Sequence, residues 1–360
     1  MPPMLDRIAR SARSAAAAAV VSALAFTGAA YAAPYSSLYV FGDSLSDSGN
    51  VFTFTTAIDA LDGVDNFPTI PAAPYVAGRF SNGFNYADLL NQKLFGTSSG
   101  LTPSFAGGTN YAVGGAQTGM GNIIDGLFPG VPPSGMQAQL ASYKAKLGAG
   151  SASPNGLYVV YGGPNDMLSM LSAAQADPLN AITIKNQAIQ TAVDNLQGIL
   201  TDLSAVGAQH FLIPNLPDLG ATPRLNGDPI ASSFAHLASV EFNDKLAAML
   251  TTFDAQHAGD DVHSADVFSA FNDVLANPAK FGFSNIDTAC FPGTPFAAQS
   301  GSACADPEHY VFWDDIHPTA HTNQIMADLA FAAAVPEAQE WVMLACGLLL
   351  LSVIARRRID

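Results

Sequence analysis

Charge is scarce in this chain. Of 360 residues only 12% are Asp, Glu, Lys or Arg, and 14 basic residues face 30 acidic ones. Three arginines sit at each end, so residues 33–335 keep eight basic residues against 26 acidic ones, a net charge of about −18. A body of that sign repels phosphates, which excludes nucleic acid as a partner; its ordinary consequence is solubility. Metal-ligand spacing is missing as well. The seven histidines, at 210, 236, 257, 263, 309, 317 and 321, form no paired pattern of the kind zinc uses. Neither a metal nor a cofactor is expected. Cysteine is limited to three residues, and no repeat or linker interrupts 34–333. What is abundant is apolar side chain, 49% of the total, enough for one large core or two small ones.

Both ends read as address labels. Arg7, Arg10 and Arg13 precede an Ala/Val/Leu run and then Ala30-Tyr31-Ala32. A basic start, an apolar stretch and a small-x-small site describe a signal peptide over 1–32, with an uncleaved anchor as the alternative. Passage through export machinery into an oxidising compartment is expected. There Cys290 and Cys304, 14 residues apart in a Gly/Pro/Ser-rich stretch, should pair; two free thiols are the alternative. At the other end Val335-Pro336-Glu337 leads into an apolar run over 341–355 and then Arg356-Arg357-Arg358. As a helix that run spans about 22 Å, short of a membrane's hydrocarbon core. The segment 335–358 resembles the PEP-CTERM sorting signal of exported bacterial proteins, which implies an exosortase as processing partner. Ala338 stands where that motif usually has a second proline. A plain membrane anchor is the alternative, and either gives the protein membrane contact through its tail.

Between the ends, short β-branched and aromatic runs alternate with longer helical stretches. Strands are expected at 38–41, 157–161 and 211–214. Ile189, Ala192, Val193, Leu196, Ile199, Leu200 and Leu203 recur at helical spacing. A second helix is expected over about 229–253, with Phe234, Leu237, Val240, Phe242 and 246–250 as its apolar set. Alternating strand and helix predicts one domain, 34–333, on a parallel sheet covered on both faces.

Four segments carry chemistry. Phe41-Gly42-Asp43-Ser44 follows the first strand, so Ser44 lies where open parallel sheets place their ligands. Asp314-Asp315-Ile316-His317-Pro318 sets a carboxylate three residues before a histidine. Asp314 can turn back to one ring nitrogen and leave the other free to take a proton from Ser44, while Asp315 should point elsewhere. The glycine-dense stretch 107–116 can bring backbone N–H groups to a ligand. Asn165, just after the second strand, can donate to a developing oxyanion. Each segment read alone is ordinary turn or cap chemistry. All four together, each at a strand end or loop, point to nucleophilic acyl transfer.

Those blocks, with Gly78-Arg79-Phe80-Ser81-Asn82-Gly83 and Asn215-Leu216-Pro217-Asp218, resemble the GDSL, or SGNH, hydrolase family over about 36–333. The resemblance implies a three-layer α/β/α sandwich of flavodoxin-like type on a five-stranded parallel sheet. It also implies ester hydrolysis without a cofactor. It makes Ser44 the nucleophile, His317 the general base and Asp314 its orienting partner. The oxyanion donors would be Ser44 N–H, Gly115 N–H and the Asn165 side chain, with Gly114 a near-equal candidate to Gly115. Asp47 and Asn50 should brace the turn after Ser44, and Arg79 should form a structural ion pair. Asp261 and His263 form a decoy dyad. Of Met167, Leu168, Met170 and Leu171, core packing is favoured over lining an acyl pocket.

The expected protein is an exported esterase or lipase acting through an acyl-enzyme. Phe54, Phe67, Phe128, Phe281 and Phe283 favour a lipid-like or acylated small-molecule substrate. The alternatives are an acyltransferase or polysaccharide deacetylase with the same site, or a non-catalytic surface binding protein on this scaffold.

Overall fold

The computed structural model describes residues 34–62, 69–76, 78–127, 130–296 and 301–335. The expected leader over 1–32 and the tail from 336 onward lie outside the described residues. Among the described residues no helix is long and apolar enough to cross a membrane.

The strands form where β-branched and aromatic residues cluster. β1 (Ser37–Gly42), β2 (Gly156–Tyr161), β3 (His210–Pro214) and β4 (Asp261–Ala265) pair in that order, all parallel. β2 is buried at every position, as a central strand with both faces covered must be. The expected fifth strand is present only as an irregular edge. Residues 109–113 run parallel to β1 through Val40 N–H to Thr109 O, Tyr111 N–H to Val40 O and Val113 N–H to Gly42 O, at 3.2, 2.7 and 3.1 Å. Its outward groups are already taken. The Asn50 side-chain amide donates to Asn110 O and Ala112 O, and Ala112 N–H donates to the Asn110 side chain. Nothing can add to this edge, which closes the sheet. β5 (Asn285–Ala289) and β6 (Tyr310–Phe312) make a separate small parallel pair.

Eight helices flank the strands among the described residues: α1 (Asn50–Asp62), α2 (Tyr86–Phe95), α3 (Met136–Leu147), α4 (Pro164–Ala176), α5 (Ala181–Ala205), α6 (Pro229–Gln256), α7 (Val267–Ala276) and α8 (Ala320–Ala334). α4, α5 and α6 pack on one another, and α2 packs on α8, giving the layers of an α/β/α sandwich. Every residue of the apolar stripe expected on α5 is buried. On α6 the expected Phe242, Leu246, Met249 and Leu250 are buried, joined by Ala235, Ala238, Ser239 and Phe253, whereas Leu237 is exposed. Small residues at 235, 238 and 239 let α6 approach its neighbours closely. Of the expected bulky set only Leu237 points outward, while Phe234 and Val240 sit half-buried at the margin.

Candidate active site

The site is built where β1 and β2 end. Gly42 closes β1, and a Cβ there would lie 2.6 Å from Tyr161 O, so only glycine fits. The side chain of Gln139 on α3 grips this residue from both sides: Oε1 accepts Gly42 N–H at 3.0 Å and Nε2 donates to Gly42 O at 2.8 Å. The chain then turns tightly, with Ser46 N–H and Asp47 N–H both donating to Asp43 O. Ser44 sits at the apex of that turn, half-buried.

Ser44 Oγ lies 2.8 Å from His317 Nε2, and His317 Nδ1 lies 2.7 Å from Asp314 Oδ2. Asp314 is fully buried, and its Oδ1 accepts the backbone N–H groups of Ile316 and His317. Burial pushes its carboxyl up. The charge of His317, the ring N–H, the Tyr75 hydroxyl and the His317 backbone N–H outweigh burial, and the carboxyl ends below the usual range. An ionised carboxylate can only accept, so the proton sits on Nδ1 and Nε2 presents its lone pair to Ser44. Asp315 points away, in a two-pronged pair with Arg224 at 2.8 Å on each prong.

The three groups expected as donors, Ser44 N–H, Gly115 N–H and the Asn165 amide, belong to residues that line the pocket at Ser44. Gly114 is ruled out of that role, because its N–H donates to Asp47 Oδ2 at 2.9 Å. The Gly114 carbonyl accepts from the Asn122 side chain, which in a trans peptide turns the Gly115 N–H the opposite way. Among the described residues that N–H and the Ser44 N–H have no acceptor. Gly115 has φ +81°, and a Cβ there would meet Asn122 Oδ1 at 2.4 Å. Asn165, in the first turn of α4, uses one amide hydrogen on Ala116 O at 3.0 Å and keeps the other. Ser44, Gly115, Asn165 and His317 line a single pocket.

Supporting residues tie these parts together. Asp47 accepts four backbone N–H groups, from Gly49, Asn50, Val51 and Gly114, joining the serine turn to the glycine loop. Burial nevertheless raises its carboxyl to about 6, against the four N–H bonds. Arg79 pairs with the buried Asp88 at 2.9 Å. Ser81 Oγ donates to Pro318 O and Asn82 Oδ1 accepts Ala320 N–H, so 78–83 clamps the histidine loop. Phe80 faces the His317 ring at 5.3 Å. Burial raises the Asp43 carboxyl to about 7; Oδ1 takes Leu45 N–H, and buried Oδ2 has no hydrogen-bond partner among the described residues.

Other expectations sort cleanly. Asp261 and His263 do pair, at 2.9 Å, but Asp261 opens β4, at the sheet edge opposite Ser44. His309 and His321 make local contacts, with Asp306 and with Glu308 O. Cys290 and Cys304 form a disulfide. Met167, Met170 and Leu171 are core, whereas Leu168 lines the pocket. Of the phenylalanines expected to meet substrate, the three described ones do not line the pocket. Phe54, Phe281 and Phe283 are absent from the lining, and Phe67 and Phe128 lie outside the described residues. Phe283 is buried instead against Val274, Val311 and Phe312. The lining phenylalanines are Phe80, Phe271, Phe296 and Phe312. Sequence reading also missed Gln139 and Tyr75; neither lies in a motif, and both act across long sequence separations. Among the described residues no cluster of three His, Cys, Asp or Glu could hold a metal.

The sequence profile of the GDSL-like lipase/acylhydrolase family matches residues 38–330. The chain belongs to that family. Its enzyme class is accordingly carboxylic-ester hydrolysis. Among curated GDSL relatives, a GDSL esterase/lipase of Arabidopsis thaliana is 28% identical over 330 residues, covering 81% of this chain and 85% of its own length. A Pseudomonas putida protein from the trpE-trpG intergenic region is 32% identical over 83% of this chain, and the chain spans 48% of that protein. Among solved structures, an extracellular lipase of Streptomyces rimosus aligns with a TM-score of 0.42 at 14% identity, over 83% of this chain and all of its own.

Proposed function

We propose that this GDSL hydrolase cleaves esters of fatty acyl groups through an acyl-enzyme on Ser44. His317 Nε2 takes the Ser44 proton as Oγ bonds to the acyl carbon. The oxyanion is held by Ser44 N–H, Gly115 N–H and Asn165. His317 then protonates the departing alcohol, and water repeats the sequence to free the acid. The observation that carries the reading is the 2.8 Å contact between Ser44 Oγ and His317 Nε2 at the mouth of an apolar pocket.

The acyl group follows from that lining. Beyond Ser44 the walls are Phe80, Leu168, Phe271, Val274 and Phe312, with Thr322, Ile325, Met326 and Leu329 along α8. From 322 to 329 a helix rises about 10 Å, room for an acyl chain on the order of eight carbons. A polysaccharide acetyl group would leave this surface unused. With p-nitrophenyl esters, kcat/KM should rise from acetate to octanoate by about a hundredfold, as burial of several methylenes allows. Ser44→Ala should abolish turnover and organophosphonate labelling. A preference for acetate would refute the fatty-acyl reading, and labelling of the variant would refute the nucleophile. Product analysis with an added alcohol separates hydrolysis from acyl transfer.

We also propose export, supported by the leader-like residues up to Ala32 and by the Cys290–Cys304 pairing. Mass spectrometry of protein from the native cell should give Ala33 as the first residue; protein that keeps Met1 and fractionates with the cytosol would exclude export.

A further inference from the structure

The Ser44, His317 and Asp314 geometry leaves one polar neighbour without a role. Tyr75 Oη donates to Asp314 Oδ2 over 2.6 Å, the same oxygen that faces His317 Nδ1 at 2.7 Å. The two residues are 239 positions apart in sequence. Tyr75 is buried, and its ring is fixed edge-on against Phe291 and Trp313 at 5.7 and 6.1 Å. Phe291 follows Cys290, so the disulfide loop backs this aromatic cluster. Its backbone is anchored too: Tyr75 N–H donates to Ala72 O, and Ala72 N–H to Pro295 O.

We propose that Tyr75 is a positioning residue of the hydrolytic site, acting through Asp314. The proposal rests on the Ser44–His317–Asp314 reading above. Two backbone N–H groups hold Asp314 Oδ1, and Tyr75 with His317 holds Oδ2, so the carboxylate cannot rotate away from the imidazole. The hydroxyl also draws charge from Oδ2. That charge on Oδ2 is what stabilises the imidazolium formed when His317 takes the Ser44 proton. Burial, then the Asp314 charge and hydrogen bond, raise the pKa of Tyr75, so it stays a donor throughout the working range. The other charges acting here are Asp315 and its partner Arg224, and Asp43 beside the serine turn.

The test is Tyr75→Phe, which removes the hydroxyl and keeps the ring. With p-nitrophenyl octanoate, KM should stay within about twofold while kcat falls about tenfold, the scale of a lost hydrogen bond to a charged group. The acid limb of kcat/KM should move up by about half a pH unit or more, because charge returns to Oδ2. The downfield proton resonance of His317 Nδ1–H should shift. Phe291→Leu, which loosens the cluster without touching the hydroxyl, should lower Tm and leave the acid limb in place. An unmoved limb and resonance in Tyr75→Phe, or an equal shift in Phe291→Leu, would reduce Tyr75 to packing. Ser44→Ala run alongside separates the two readings. If it is inactive while Tyr75→Phe matches wild type, only the Tyr75 role falls; if it is active, both fall.

Discussion

Replacing Asp43 by asparagine should change how stability depends on pH. Asp43 is fully buried, one oxygen has no partner among the described residues, and the carboxyl is raised from 3.8 to about 7. Burial is the main cause; Asp166 adds to it, while Leu45 N–H and the charge of His317 oppose it. The folded protein therefore binds this proton more tightly than the unfolded chain does. The stability it contributes is complete below about pH 4 and is lost as pH rises toward 7. Between pH 5 and 6 the two states differ by about one proton, a slope near −1.4 kcal/mol per pH unit. Over the whole window the loss is about 4 kcal/mol. Asp47 and Asp166, each raised to about 6 mainly by burial, act in the same direction, so wild type should grow more stable on mild acidification. Asp43→Asn removes one of these protons. Urea unfolding of both proteins at pH 5, 6, 7 and 8 measures the difference. The variant's stability relative to wild type should improve by about 2.5 kcal/mol between pH 5 and 8, the part of the window that lies above pH 5. Parallel curves over that range would refute the argument and mean that Asp43 holds the same charge in both states.

Asp314→Asn should reduce kcat by orders of magnitude with little change in KM, since its amide favours the wrong His317 tautomer; stopped rates across pH 6–9 would check it. Asp315→Asn breaks only a part-exposed pair with Arg224, so it should cost at most about 1 kcal/mol in thermal unfolding and leave kcat within about threefold. Equal losses in the two variants, or the reverse order, would overturn the assignment of Asp314.

The parts of the site legible in sequence were those held by short-range chemistry. Ser44 and Asn165 each follow an apolar strand, and Asp314 lies one turn from His317. The buried face of α5 was legible for the same reason, because helical spacing is local. What sequence hid depends on distant partners. Gly114 and Gly115 are equivalent as letters; only the reach of Asp47 to Gly114 N–H separates them. Tyr75 sits in a proline-rich loop with no periodicity to announce its partner. The pocket walls were misplaced because loop phenylalanines such as Phe283 found a small core of their own. Meanwhile Ile325 and Leu329 on α8 look like ordinary core residues and face the pocket instead. The edge at 109–113 escaped notice as a strand because Asn110 and the glycines carry no strand signal, and Asn50 supplies its outer bonds.

Tyr35 Oη donates to Ala334 O over 2.5 Å, across 299 residues. Tyr35 precedes β1 and Ala334 ends α8, a helix that starts beside His317 and runs back along the sheet. Entry to and exit from the catalytic domain therefore share one pole, and Ser44 opens at the other. A label, a bead or a second protein joined directly at Tyr35 or Val335 would hold the enzyme by its base with its mouth outward. The same proximity makes the domain a natural cassette: cut out as 35–335, it could be set into a host loop through two closely spaced joints without reorienting the pocket.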